Sequence, residues 1–216
     1  KTIIEYNENS DIQKIRRQAD QAGTLWQEVE LDYDEMDRLK TIIDPLNRTT
    51  SLHYDANENL DWILDAEGNR TDYVYDERDL LEQIIDANTP RGLTQYAYDP
   101  NGNLAQILDA NLNPTTYAFD FFDRLVKVTY ADNKFDQYTY DKNSNVDVHT
   151  TPSTQTIDYD FDALNRLTDK KFAANPSLNA RYGYDLGSRL TSADIVSQTI
   201  KNSFTYDNLN RVKTNT

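Results

Sequence analysis

The chain has 216 residues, with 22 Lys and Arg against 37 Asp and Glu, a formal net charge of −15 and a pI near 4.4. That balance repels phosphate backbones, which are held by clustered cations, so no nucleic-acid partner is expected; no apolar stretch reaches the roughly 18 residues of a membrane span, so no membrane insertion is expected either. Cys is absent, which removes a disulfide framework, a thiolate zinc site and a thiol nucleophile, and 15 Tyr beside abundant Asp and Asn predict an all-β, turn-rich chain.

In chain order, a worn unit containing Ile4-Glu5-Tyr6-Asn7 comes first, taken as a degenerate copy over 4–29. An aromatic followed by Asp then recurs: Tyr33-Asp34, Tyr54-Asp55, Tyr75-Asp76, Tyr98-Asp99, Phe119-Asp120, Tyr140-Asp141, Phe161-Asp162, Tyr184-Asp185 and Tyr206-Asp207. From Tyr6 onward the intervals run from 21 to 27 residues, and five of the nine are 21. Periods of that length mark a tandem repeat, and residues 1–216 are read as one array of about ten copies, the last truncated.

Each copy predicts two strands. An apolar residue stands two before the aromatic (Leu31, Leu52, Tyr73, Tyr96, Tyr117, Tyr138, Tyr159, Tyr182, Phe204), and this period of two is that of a strand with one packed face. Five residues after the aromatic comes Arg, Asn or a substitute, then an aliphatic that starts the second strand, as in Arg38-Leu39, Asn103-Leu104, Arg124-Leu125, Arg166-Leu167, Arg189-Leu190 and Arg211-Val212. Between the strands, words such as "DPNGN", with Gly102, supply the positive φ of a tight hairpin, and Asp can accept backbone N–H groups of its own turn. The spacing across this turn is constant, whereas all length changes fall in the connection to the next copy, read as a free turn. Two turns per period predict hairpins laid side by side in a long, twisted or spiralling antiparallel sheet, not coils of a parallel β-helix. In the second strand Leu39 and Ile42, or Leu104 and Ile107, are three apart, so either a bulge intervenes or both faces are covered.

The words "YAYDPNGNLAQILDA", "FDALNRLTDKK" and "YDLGSRLTSA" resemble the YD repeats of the Rhs family, over essentially residues 4 to 214. The resemblance implies a β-sheet spiral forming part of a hollow shell, as in polymorphic toxins, the B and C subunits of insecticidal toxin complexes and teneurins. It further implies a secreted or cell-surface location, although no signal-peptide pattern opens the segment. Its implied partners are the remainder of its own shell and an enclosed toxin or C-terminal effector domain. The family's closing segment rich in Asp-Pro-x-Gly, where self-cleavage occurs, and a variable toxic domain have no counterpart here.

Candidate chemistry competes with architecture at several points. Asp55-x-Asn57-x-Asn59, Asp99-x-Asn101-x-Asn103 and Asp141-x-Asn143-x-Asn145 open like a calcium loop, but Ala66, Ala110 and Pro152 stand where the bidentate Glu belongs, so turns are favoured and no metal or cofactor is expected. A second Asp recurs at Asp44, Asp65, Asp86 and Asp109, then gives way to Tyr130, Thr151, Phe172 and Ile195. No carboxylate pair is singled out for glycoside hydrolysis. His53 and His149 lie in different copies, and neither a nucleophile elbow nor a phosphate loop occurs, so no catalytic residue is assigned. Asn47-Arg48-Thr49 and Asn69-Arg70-Thr71 meet the glycosylation sequon but are read as repeat turns. The row of Tyr is read as cross-strand packing with one end of each ring wet or hydrogen-bonded. A carbohydrate-binding or adhesion face made of the same rings is the alternative. The Arg at the head of the second strand is expected to pair with the turn Asp of an adjacent copy, and exposed sheet edges to favour self-association.

Overall fold

A computed structural model describes residues 1–19, 25–87, 92–197 and 201–215. Positions 20–24 of the degenerate first copy and 88–91 of one long connection lie outside the described residues. Within them the chain is a succession of twenty strands with one 3-10 turn, Pro176–Leu178. The first strands of the copies are β1 (Thr2–Tyr6), β3 (Trp26–Tyr33), β5 (Thr49–Tyr54), β7 (Arg70–Tyr75), β9 (Leu93–Tyr98), β11 (Pro114–Phe119), β13 (Phe135–Tyr140), β15 (Thr156–Phe161), β17 (Ala180–Tyr184) and β19 (Lys201–Tyr206). Each ends on the motif aromatic. The second strands are β2 (Ile12–Gln18), β4 (Leu39–Ile43), β6 (Leu60–Leu64), β8 (Leu81–Ile85), β10 (Leu104–Leu108), β12 (Leu125–Thr129), β14 (Val146–Thr150), β16 (Leu167–Phe172), β18 (Leu190–Ile195) and β20 (Val212–Asn215). Each begins on the predicted aliphatic.

The chain divides into two compact units, Lys1–Ala97 with Ile107–Leu112, and Tyr98–Gln106 with Asn113–Thr216. In the first, β1 to β9 pair antiparallel in chain order. In the second, β11 to β20 do the same. The predicted class, an all-β array of tandem hairpins, is therefore the observed one.

A bulge accounts for the uneven spacing of the second strand. In β3–β4, Tyr33 faces Leu39 and Leu31 faces Ile42, with the register shifting between Asp32 and Tyr33 so that Lys40 has no partner. The extra residue puts Leu39 and Ile42 on the face of Leu31 and Tyr33, because directly opposed residues share a face. The same shift recurs before Tyr54, Tyr75, Phe119, Tyr140, Phe161, Tyr184 and Tyr206. One apolar stripe per hairpin results.

The connections vary in length from copy to copy, as from Asp44–Arg48 to Asp86–Gly92, yet both turns of a 21-residue copy share one geometry. In the motif turn the N–H of Asp37 donates to the Asp34 carbonyl and the N–H of Asp34 to that of Arg38. In every connection of a 21-residue copy the same bond forms, as from Asn47 to Asp44, Gly68 to Asp65, Leu112 to Asp109, Asn133 to Tyr130 and Thr154 to Thr151. The donor always has positive φ, and only Gly68 and Gly102 among these positions are glycine. A β-branched residue is the least suited to that region. Replacing Thr154, at φ 63°, by Gly is accordingly expected to stabilise the protein by about 1 kcal/mol in a urea melt; a loss of stability would show that the turn is not held in this conformation.

Burial is shallow. Among the described hydrophobic residues only Val128 and Ile157 are buried, and the accessible surface is 14742 Å². A globular monomer of this mass would expose about 10,000 Å². Hairpins joined edge to edge bury their neighbours' flanks but leave sheet faces half covered, so contacts between copies must hold the array together.

Candidate functional site

The side chains that recur are those of the motif turn, and their geometry starts with Asp. Asp34 Oδ1 accepts the N–H groups of Met36 at 2.9 Å and Arg38 at 3.0 Å, while Oδ2 accepts Arg38 Nε at 2.8 Å. The bond from the Arg38 side chain, with the two backbone donors, holds the Asp34 carboxyl below its ordinary range despite partial burial. Asp120, Asp162, Asp185 and Asp207 repeat the arrangement with Arg124, Arg166, Arg189 and Arg211. Asp55, Asp99 and Asp141 repeat it with Asn59, Asn103 and Asn145. At Asp76 the fork comes instead from Arg78. The Asp of the motif thus builds its own turn.

The Arg expectation needs correction, since each pairs with the Asp of its own turn and not with that of a neighbour. The spacing explains it: a tight turn brings residues four apart onto one side. What reaches the next copy is the outer part of the guanidinium. Arg124 Nη1 donates to Ser144 Oγ at 3.0 Å and Arg189 Nη1 to Asn210 Oδ1 at 2.9 Å. Guanidinium carbons of Arg38, Arg124, Arg166 and Arg189 lie 4.4 to 4.9 Å from the ring centres of Tyr54, Tyr140, Tyr184 and Tyr206. Where Asn replaces Arg, two amides bridge instead. Asn57 and Asn59 both donate to Asp79 Oδ1, Asn101 and Asn103 to Asp123 Oδ1, and Asn143 and Asn145 to Asn165 Oδ1. The groups that suggested a calcium loop are committed to these bonds.

The motif Tyr completes the join. Tyr33, Tyr54, Tyr75, Tyr140, Tyr184 and Tyr206 each donate their hydroxyl to the backbone carbonyl of the aliphatic that heads the preceding copy's second strand, Ile12, Leu39, Leu60, Leu125, Leu167 and Leu190. That carbonyl lies beyond the end of the ladder between copies, which in β12–β13 stops at Lys127 and Gln137. Burial raises the phenol pKa of Tyr33, Tyr75 and Tyr140. Phe119 and Phe161 lack the hydroxyl and interrupt the row. A sugar platform requires open ring faces, and the guanidiniums occupy one face of four of these rings.

The second Asp also serves turns. Asp44 Oδ1 accepts the N–H groups of Leu46 and Arg48, and Asp65 Oδ1 those of Glu67 and Asn69. Of the sequon residues, Asn47 is the positive-φ residue of its turn and Asn69 donates its amide to Asp65 Oδ2 at 2.8 Å.

The two histidines do not meet, and each has an Asp of its own. His53 Nδ1 lies 2.9 Å from Asp61 Oδ2 on an exposed patch, and its ring is stacked on Trp62 at 5.1 Å. Arg70, from the strand on the other side of β6, lies over the same indole at 4.9 Å. His149 is less exposed. Its Nε2 lies 2.5 Å from Oδ1 of the buried Asp136, whose Oδ2 accepts the hydroxyl of Tyr130 at 2.7 Å. That bond and burial push the Tyr130 phenol up to about 12. Sequence reading passed over this cluster. Its signal was available: where Tyr54, Tyr75, Tyr98 and Phe119 have Thr four residues before and Ile or Val nine after (Thr50 and Ile63, Thr71 and Ile84, Thr94 and Ile107, Thr115 and Val128), Tyr140 has Asp136 and His149.

Comparison with known proteins gives one family model, described as RHS Repeat, which matches residues 98–134. No curated protein matches. Among solved structures, the crystal structure of TcdB2-TccC3-Cdc42 aligns at 13% identity and a TM-score of 0.49, covering 98% of this chain and 16% of that one. A Photorhabdus luminescens Tc holotoxin pore with a TccC3 mutation aligns at 12% identity and a TM-score of 0.46, with the same coverage of 98% and 16%. A porin-like protein from Bacteroides uniformis aligns at 11% identity and a TM-score of 0.36, covering 98% of this chain and 91% of that one. The chain therefore spans about one sixth of the Tc toxin chains it matches.

Proposed function

We propose that this chain, which belongs to the Rhs/YD-repeat family, is a non-catalytic wall segment of a hollow β-shell that encloses or presents a toxin or other effector domain. One observation carries the reading: the side chains that the repeat keeps rewriting are spent on their own turn or on the next copy. Asp fixes the hairpin, Arg or Asn reaches the following turn, and the Tyr hydroxyl caps the carbonyl of the preceding copy. A catalytic centre needs a constellation that occurs once and whose groups aim at one point; these groups recur along the array and aim at each other. The half-covered sheet faces fit a wall that meets other material in the complete protein. As part of such a shell the segment would work outside the cell that makes it, at a surface or in the medium.

Electron microscopy of the parent protein tests the proposal. The expected particle is hollow, with these hairpins side by side in its wall, and its interior segment resists protease until the shell is opened. A solid particle, or an effector cleaved as fast in the parent as on its own, overturns it.

A further inference from the structure

We propose that the open depression beside His149, over β13 to β16, is a binding site for a small planar ring bearing a neutral hydroxyl donor, a phenol. The site is independent of the shell reading. It is a concavity of about 420 Å³ whose walls include Tyr138, Tyr159, Phe161 and Leu167, with Asn145 and His149 as polar points. Largely apolar walls with a few placed polar groups are the usual make-up of a small-molecule site.

The polar points are both acceptors. Asp136 receives bonds at each oxygen, from Tyr130 and from His149 Nε2, and is itself outside the lining. A carboxylate on one ring nitrogen sets the tautomer: Nε2 carries the proton and Nδ1 keeps its lone pair. Stacking of the imidazole on Tyr138 at 4.6 Å fixes the ring plane. Asn145 directs its amide N–H groups to Asp141 and Asn165, which leaves Oδ1 as its acceptor. A ligand must bring the hydrogen. A saturated sugar carries hydroxyls around its whole rim and would bury several of them against Phe161 and Leu167 without partners, which is costly. An aromatic ring with one O–H matches both the walls and the acceptors.

The repeat itself argues that the pair is not needed for folding. Four preceding copies fill the equivalent positions with Thr and Ile or Val, and a buried acid and imidazole seldom stabilise more than apolar residues of similar size. Later copies vary at both positions (Ile157 and Lys170, Ala180 and Ala193, Asn202 and Asn215), but only this copy places an acid and an imidazole there, beside the depression.

The test uses the intact chain with phenol and toluene as probes, followed by NMR at the His149 ring. Phenol is expected to shift His149 saturably at millimolar concentration and toluene to bind roughly tenfold more weakly, about the effect of one net hydrogen bond. In the double variant Asp136→Thr, His149→Ile, which installs the residue types of the four preceding copies, the discrimination should fall severalfold, with Asn145 left as acceptor. Equal affinity for the two probes, no saturation at His149, or discrimination undiminished in the double variant overturns the proposal.

Discussion

Between about pH 7 and pH 5 the array keeps its fold, and below about pH 4 it melts, losing stability with every further step into acid. The motif carboxylates set that limb. Asp34, Asp99, Asp120, Asp141 and Asp162 are held below the ordinary value of 3.8 first by a side-chain bond from the Arg or Asn four residues on, and Asp185 and Asp207 first by the backbone N–H of Arg189 and Arg211. For Asp55 and Asp76 burial pulls upward, and the turn donors still leave the net shift downward. A carboxyl with a depressed native pKa binds fewer protons folded than unfolded, so its contribution is complete above the unfolded value and lost as pH falls through the native one. Each group is well solvated and contributes little alone. The effect is large because the same sign recurs in copy after copy. A counter-effect comes first: the net charge of −15 shrinks on the way to the pI near 4.4, which relieves self-repulsion. Circular-dichroism melts at stepped pH should therefore show a flat or slightly rising midpoint down to about pH 5 and a steep fall below about pH 4. A midpoint indifferent to pH down to about 2 would mean that the carboxylates do not hold the turns as described.

Much of this architecture is legible in the sequence because the repeat constrains strand, turn and register at once. The constant five-residue step from Tyr33 to Arg38, repeated at Tyr140 and Phe161, can only be a fixed hairpin turn, and the strands fall where it puts them. What a spacing cannot specify is which of two acceptable partners a flexible side chain chooses. Arg124 has its own Asp120 and the neighbouring turn within reach, and takes both with different atoms. Conformation at the connection was hidden for a related reason. Leu112 and Thr154 do not look like positive-φ residues, and only the ladders on either side force them there. The bulge at Lys40 was visible as an anomaly in apolar spacing but needed the register to be resolved. The pairing of His149 with Asp136 was missed because a search for recurring residues passes over contacts that occur once.

Removing the hydroxyl from the motif ring should cost far more than its size predicts. In Tyr54→Phe, Tyr75→Phe, Tyr140→Phe and Tyr184→Phe the ring and its packing stay, but the carbonyls of Leu39, Leu60, Leu125 and Leu167 lose donors at 2.6 to 3.0 Å. The ladder between copies does not reach these carbonyls, since pairing begins two residues further on, as at Thr41 with Ser51 and Lys127 with Gln137. Each substitution should cost about 1 kcal/mol, the usual net value of a hydrogen bond whose acceptor is left partly buried. Neighbouring copies stand about 10 Å apart, far enough for near additivity, so the quadruple variant should lose about 4 kcal/mol in a urea melt. The row also predicts the opposite effect where it is broken. Phe161→Tyr should gain up to about 1 kcal/mol by donating to the Val146 carbonyl, the position matching Leu125 in the preceding copy. If the rings served only as packing, Tyr→Phe would be neutral and Phe161→Tyr would lose stability by forcing a hydroxyl against an apolar strand. Opposite signs for the two directions of the same exchange are what a carbonyl cap requires.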